Sequence, residues 1–308
     1  ADGEWQIRGS SSTDPLSDQS KIRALPDGSE GSAWHIPLMV DGGVLFIGSS
    51  RRRIHFTELD RLTEKLNTAE PSIYAGHILK PGAKGFAYQR DPHRTVWVRL
   101  ANGTFGTLTL MPAEKVVGWQ RQEFHNGVVE DVTSIRSADT TVHELWMIVR
   151  RQINGTTRRY LEILQVFFDA EDPDDLRATG AWFVDSGLEY EGAPTSELSG
   201  LDHLEGEAVV VFADGGERKA RPTVSGGRIT LSRPASHAVV GLPIVARART
   251  LPFEMMTQRG SSKGESKQAR HVYVEMYESA GGSVTINGGP AEPITVPWAG
   301  EPDKAVAL

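Results

Sequence analysis

The sequence predicts an all-β fold of short antiparallel strands. Two observations carry that prediction. Tight-turn dipeptides recur along the chain, as Asn-Gly at Asn102-Gly103, Asn126-Gly127, Asn154-Gly155 and Asn287-Gly288 and as Asp-Gly at Asp2-Gly3, Asp27-Gly28, Asp41-Gly42 and Asp214-Gly215. These pairs supply the positive φ angles that two-residue hairpin turns require. Between them lie runs of β-branched, aromatic and aliphatic residues that alternate with polar ones, the period of a half-buried strand.

Taken in order, the first distinct element is a helix. Phe56, Leu59, Leu62 and Leu66 fall at spacings of three and four, and Thr57 with Asp60 resembles a capping pair, so a short helix is expected over residues 56–66. Three hairpins follow between about residues 94 and 165. Thr95–Leu100 turns at Asn102-Gly103 into Phe105–Leu110, Val116–Gln122 turns at Asn126-Gly127 into Val128–Ile135, and Val142–Arg151 turns at Asn154-Gly155 into Thr157–Leu164. Such a meander suits a propeller blade or an up-and-down barrel, with a sandwich as the competing choice. Trp97, Trp119 and Trp146 recur once per hairpin, which reads as a repeated core position before a ligand-stacking platform.

The acidic run Asp169–Asp175 reads as the solvated start of a short helical turn near residues 173–176. It lacks the sixth-position glycine and twelfth-position glutamate of a calcium loop. Composition shifts after about residue 165. Residues 180–206 are rich in Gly, Ser, Glu and Pro, and Glu207–Ala213, Val224, Arg228–Leu231 and Ala238–Ala248 then give four short strands. Residues 167–250 are accordingly read as an inserted small β-barrel or sandwich-like domain, between partial propeller blades in 1–166 and truncated return strands of the propeller in 251–308. Residues 258–269 contain nothing apolar except one alanine and read as a mobile loop or linker. Alternation resumes at His271–Ser279 and Ser283–Asn287. The chain opens at Ala1 without methionine, directly in strand-like sequence, and ends without a complete element after Val296-Pro297-Trp298, which reads as a slice of a longer protein.

Composition narrows the chemistry. The 308 residues include no cysteine, which excludes thiol catalysis, disulfides and Cys-ligated metal. The net charge is -7, from 33 Lys+Arg against 40 Asp+Glu, with short basic clusters at Arg51-Arg52-Arg53, Arg150-Arg151 and Arg158-Arg159. A protein that wraps nucleic acid shows a basic face, so these clusters read as solvated hairpin edges. No apolar run approaches the roughly 18–20 residues of a membrane span. There is no Gly-x-Ser-x-Gly elbow, no phosphate-cradling glycine loop, and no helical His-Glu-x-x-His; His143-Glu144 lies in a strand pattern. Asn102-Gly103-Thr104 and Asn154-Gly155-Thr156 match a glycosylation sequon, and both are explained as hairpin turns. The sequence therefore nominates no catalytic, cofactor-binding or metal-ligating residue, and the interaction surface is open.

Two ordered motif sets resemble a known family. The first comprises Val116-Val117-Gly118-Trp119-Gln120, Asn126–Val132, Glu144–Arg151, Ile153-Asn154-Gly155 and Arg159-Tyr160-Leu161-Glu162. The second comprises Phe183–Gly187, Ser199–Glu207, Ala213-Asp214-Gly215, Val224–Leu231 and Val240-Gly241-Leu242-Pro243. Val44–Ile47, Glu58–Leu66 and Arg270–Ser279 also fit the pattern. Together they resemble the nozzle, or tail tubular protein B, family of short-tailed bacteriophages and related prophages. The resemblance implies a β-propeller interrupted by small β-domains. It also implies a non-enzymatic tail component without cofactor, assembled as a homo-hexamer in the virion tail, with an adaptor above, fibre or spike proteins below, and DNA passing through without sequence-specific binding. The alternatives from other classes are a carbohydrate- or receptor-binding all-β protein and a β-propeller hydrolase with two carboxylates across a cleft.

Overall fold

The structure, a computed structural model, describes residues 3–9, 16–17, 21–60, 62–63, 65–138, 142–165, 181–251, 254, 256–257, 260–262, 274, 282–286 and 288–294. Antiparallel sheets dominate, and there is no α-helix among the described residues. The chain divides into two units, Ala1–Val166 and Phe167–Leu308. The helical turn expected near 173–176, all but Val274 of the strand expected at 271–279, most of the 258–269 stretch and the segment after 295 lie outside the described residues.

The first unit begins with β1 (Trp5–Arg8) and β2 (Arg23–Pro26), paired with each other. Three consecutive meanders follow. The first sheet is β3 (Leu38–Val40), β4 (Gly43–Ile47), β5 (Ile54–Asp60) and β6 (Lys65–Ala69). The second is β7 (Ala83–Gln89), β8 (Thr95–Leu100), β9 (Phe105–Met111) and β10 (Val116–Gln122). The third is β11 (Gly127–Arg136), β12 (His143–Ile153) and β13 (Thr156–Leu164). In each sheet the strands lie side by side in chain order.

Several turns form as the dipeptides predict. Asp41-Gly42 (φ 43° and 85°) joins β3 to β4, and Asn154-Gly155 (φ 45° and 73°) joins β12 to β13, both residues left-handed as a type I′ loop needs. At β8–β9 the Asn102 side chain accepts from the amide and hydroxyl of Thr104.

Two expectations are corrected. The residues 56–66 form β5, a turn and β6 in place of a helix. Leu59 faces Leu66 and Phe56 faces Ala69 across the pair, so the helical spacing arises from two strands read end to end. Leu62 is 96% exposed and supports no apolar helix face. Asp60 does cap, but it caps the turn, accepting from the Leu62 amide at 2.9 Å and the Thr63 hydroxyl at 2.8 Å. Those bonds hold its carboxyl below the ordinary value. The second correction concerns Asn126-Gly127. A tight turn closed by one antiparallel bridge, Phe124 with Gly127, does form, but β10 pairs back on β9 and β11 pairs with β12, so the expected pairing of the two flanking strands does not. The dipeptide marks the crossing between sheets. A Cβ on Gly127 would stand 2.9 Å from Phe124 Cβ and 3.0 Å from a guanidinium nitrogen of Arg151, so the glycine answers to close approach.

The three sheets pack face to face in chain order. Leu45, Ile47, Ile54 and Phe56 of the first pack with Val96, Val98, Leu108 and Leu110 of the second, helped by Ile78 and Leu79 from the connecting loop. The opposite face of the second sheet sets Ala87, Trp97 and Phe105 against Val129, Leu145, Met147 and Val149 of the third. Burial on both faces explains why β8 and β9 are almost continuously apolar. Contacts between adjacent sheets run chiefly through first strands, β3 to β7 and β7 to β11, so the sheets fan out from one side. Backbone bonds stitch the fan: Ala83 N donates to Arg51 O, and Val129 N to Gly103 O.

In the second unit, β14 (Val184–Ser199) pairs with β17 (Arg228–Pro243). β15 (Val210–Ala213) lies between β17 and β16 (Gly216–Arg218). The stretch 180–206, turn-rich by composition, thus contains a long strand. Its register against β17 shifts three times, bulges that accommodate Gly187, Gly192 and Pro194. The separate strands expected at Arg228–Leu231 and from Ala238 are one continuous β17. Asp214-Gly215 (φ 50° and 82°) makes the expected turn. Residues 251–308 fall within this unit. Their described strands, β18 (Met256–Thr257) with β19 (Gly260–Ser261) and β20 (Ser283–Thr285) with β21 (Ala291–Pro293), pair with each other.

Candidate functional site

The most unusual chemistry in the first unit is a buried arginine. Strand alternation turns Leu145, Met147, Val149, Arg151 and Ile153 to the same face of β12, and all five are buried. Arg151 is fully buried, which corrects its reading as part of a solvated basic cluster. Its fork donates to both Glu162 oxygens, Nε to Oε1 and Nη2 to Oε2, each at 2.6 Å. A third nitrogen donates to the His125 carbonyl at 2.7 Å. The guanidinium carbon lies 6.0 Å from the Phe124 ring centroid. One side chain therefore ties β12, β13 and the crossing between the second and third sheets. Bidentate geometry makes this a strong, directional pair.

On the opposite face of the third sheet, Glu130 sits at the bulge between Val129 and Asp131. It accepts from Arg159 Nε at 2.6 Å and Arg150 Nε at 3.0 Å. The Arg159 bond is the main cause that holds its carboxyl below the ordinary value. Arg94 pairs with Asp41 at 3.2 Å, and His143 lies 3.5 Å from Asp91, whose backbone carbonyl accepts from the His143 amide. These contacts bind the turn regions of successive sheets to one another.

The second unit holds a latch. Leu201 and Leu204 anchor a single 3-10 turn, Asp202–Leu204, in the core. The Glu205 carboxylate then accepts from the amides of Gly226 at 3.0 Å and Gly227 at 2.8 Å. Both glycines are left-handed (φ 60° and 68°), and the Asp202 carboxylate fills the space a side chain on Gly227 would need. The Gly227 bond, then the Gly226 bond, lowers the Glu205 pKa.

The three tryptophans do not share one position. Trp97 and Trp146 lie on the second strands of their sheets, facing away from the preceding sheet; Trp97 is 3% exposed beneath the third sheet, and Trp146 is half-buried. Trp119 lies on a fourth strand, faces the first sheet and donates to Pro71 O at 2.9 Å. Trp97 and Trp119 thus occupy opposite faces of one sheet and form no common platform.

Among the described residues no three His, Asp or Glu side chains cluster as a metal site, and no helix is long and apolar enough to cross a membrane. What the arrangement does is hold strands and turns in register. No protein-family model matches the chain, and no curated protein matches it. The signal for Arg151 was present in sequence, since it shares the inward parity of Leu145, Met147 and Val149. The latch had no local signal, because Glu205 and Gly226 meet only through the fold.

Proposed function

We propose that this chain is a non-enzymatic structural component of a bacteriophage or prophage tail, of the nozzle type, acting by assembly and shape. The observation that carries the reading is the fan of three consecutive antiparallel meanders in the first unit. Each meander is then a blade of a partial β-propeller, with its first strand toward the axis. The outer face of the third sheet, with half-buried Trp146 and Ile148 and Leu161 at 42% and 67% exposure, is the surface a further blade would cover. The motifs that carry the family resemblance fall on structural fastenings: Arg151 with Glu162, Leu201–Glu205 and the Gly226-Gly227 turn. In this reading the whole protein forms a homo-hexameric ring between an adaptor and fibre or spike proteins. A net charge of -7 suits a conduit that does not grip the DNA sliding through it.

Mass spectrometry of purified particles from a phage or induced prophage that carries this gene tests the reading. The expected result is this chain at the abundance of a tail protein, intact after washing. Its absence from particles that contain the other tail proteins contradicts it.

A further inference from the structure

Three segments of the first unit, distant in sequence, converge beside the turn between β4 and β5. That turn carries Arg51-Arg52-Arg53. The Arg51 carbonyl accepts from the Ala83 amide at 2.6 Å, which brings in the second segment, residues 79–84. There the Gly82 amide donates to the Leu79 carbonyl and closes a turn that presents Lys80. A Cβ on Gly82 would stand 3.7 Å from Arg51 Cβ. Lys84 is the extra residue of a bulge, since the register jumps from Ala83 opposite Leu100 to Gly85 opposite Arg99. A bulge re-aims the side chain it carries. The third segment is 31–35, held where the Ser49 amide donates to the Gly31 carbonyl and the Ala33 amide to the Ile47 carbonyl, each at 2.8 Å.

Arg52, Arg53, Lys80 and Lys84 are exposed, and Arg51 is half-buried. These cations share one surface of a chain whose net charge is -7. The carboxylates beside them are Glu70, loosely paired with Arg53 at 3.9 Å, and Glu30, 3.6 Å from His55. Arg51, Arg52, Lys80 and Lys84 make no ion pair among the described residues. Arg51 also has a left-handed backbone, φ 60°, where glycine would be easier. Trp34 stands on the third segment with 97% of its surface exposed. Its neighbours are anchored. Ala33 packs into the core between the first and second sheets, and the His35 ring meets Phe86 edge-on at 5.7 Å. A Cβ on Gly85, next to Lys84, would stand 2.9 Å from His35 Nε2. A fixed backbone therefore holds the indole in water at the margin of the cations.

Guanidinium and ammonium groups take phosphate, and an open indole face stacks an unpaired base. We propose that this surface binds single-stranded nucleic acid without sequence preference, with phosphates on Arg51, Arg52, Lys80 and Lys84 and a base on Trp34. A duplex keeps its bases stacked inside and offers Trp34 none. The proposal does not rest on the nozzle reading, and a duplex sliding through a tail is not its ligand.

Fluorescence anisotropy of a labelled oligothymidylate of about 12 nucleotides, titrated with the whole chain, tests it. The logarithm of the affinity is expected to fall with the logarithm of salt at a slope of about -3, from four phosphate contacts at about 0.7 each. Arg52→Gln with Lys84→Gln, both surface changes, should weaken binding at least about tenfold at about 50 mM salt and flatten the slope to about -1.5. Trp34→Ala should weaken it at least about fivefold and leave the slope unchanged. Lys115→Gln, in the exposed turn between β9 and β10, should change neither. No binding at about 50 mM salt overturns the proposal, as does binding that the double variant leaves intact. A duplex of the same length held as tightly, or heparin held as tightly with Trp34→Ala neutral, identifies a general polyanion surface and overturns it as well.

Discussion

Replacing Glu162 by glutamine strands a charge in the core of the first unit. Arg151 has no exposed side-chain surface, and Glu162 only 13%. In Glu162→Gln one oxygen still accepts, but the guanidinium loses its counter-charge and one nitrogen faces an NH2 group. Breaking a buried pair from one side costs about 3–5 kcal/mol. The slight exposure of Glu162 and the remaining bond to the His125 carbonyl place the expected cost at the lower end, about 3 kcal/mol. At roughly 2.1 cal/mol/K per residue, the unit Ala1–Val166 unfolds with an entropy near 0.35 kcal/mol/K, so its Tm should fall by about 9 °C. Differential scanning calorimetry reads the shift and urea unfolding the free energy. The double variant Arg151→Met with Glu162→Leu removes both charges and should recover to within about 1 kcal/mol of the parent. A loss below about 1 kcal/mol in the single variant, or a double variant as damaged as the single, refutes the claim that the pair is buried and structural.

Further outcomes follow from the same geometry. The Glu205 carboxyl is held below its ordinary value of 4.5 by the Gly227 and Gly226 amides, so its contribution is full above the unfolded pKa and lost as pH falls through the folded one. The melting difference between parent and Glu205→Gln should therefore be largest near pH 7 and shrink progressively as pH falls below the ordinary value of 4.5; a difference independent of pH contradicts the latch. Gly241→Ala brings a Cβ to 2.7 Å from the Asp185 carbonyl and 2.8 Å from Gly187 Cα, both backbone. It should cost about 1–3 kcal/mol or more, whereas Gly118→Ala meets nothing within 4 Å and should cost little in the same urea titration. Trp97→Ala, between two sheets, should cost about 3–5 kcal/mol, and Trp146→Ala less than half as much. Equal losses would mean that the two indoles are equally buried in solution.

The sequence-level reading succeeded where one residue pair dictates its own backbone. Asp41-Gly42, Asn154-Gly155 and Asp214-Gly215 each adopt the two left-handed angles that a tight hairpin needs. The same dipeptide at Asn126-Gly127 misled, because Gly127 is there to let Arg151 and Phe124 approach. The helix over 56–66 failed because a spacing of three and four cannot distinguish one helix from two strands and a turn when Leu62 happens to lie at the tip. β14 was hidden by Gly187, Gly192 and Pro194, which read as breakers and serve as bulges. Arg151 carried the inward parity of its neighbours, yet its adjacent Arg150 made the pair look like a solvated edge. The fastenings of the candidate site join residues 11 to 53 positions apart, and no local pattern reports which carboxylate meets which amide or guanidinium.

The proposed role of this chain is that of a part of a phage tail. Cryo-electron microscopy of intact particles carrying it, with an antibody against the chain as marker, tests that claim most directly. Label is expected at the distal end of the tail, with a closed ring there into which the three-sheet fan of residues 38–164 fits as consecutive blades. Label confined to the capsid or absent from the particle, or a distal ring whose density rejects that fan, would contradict it.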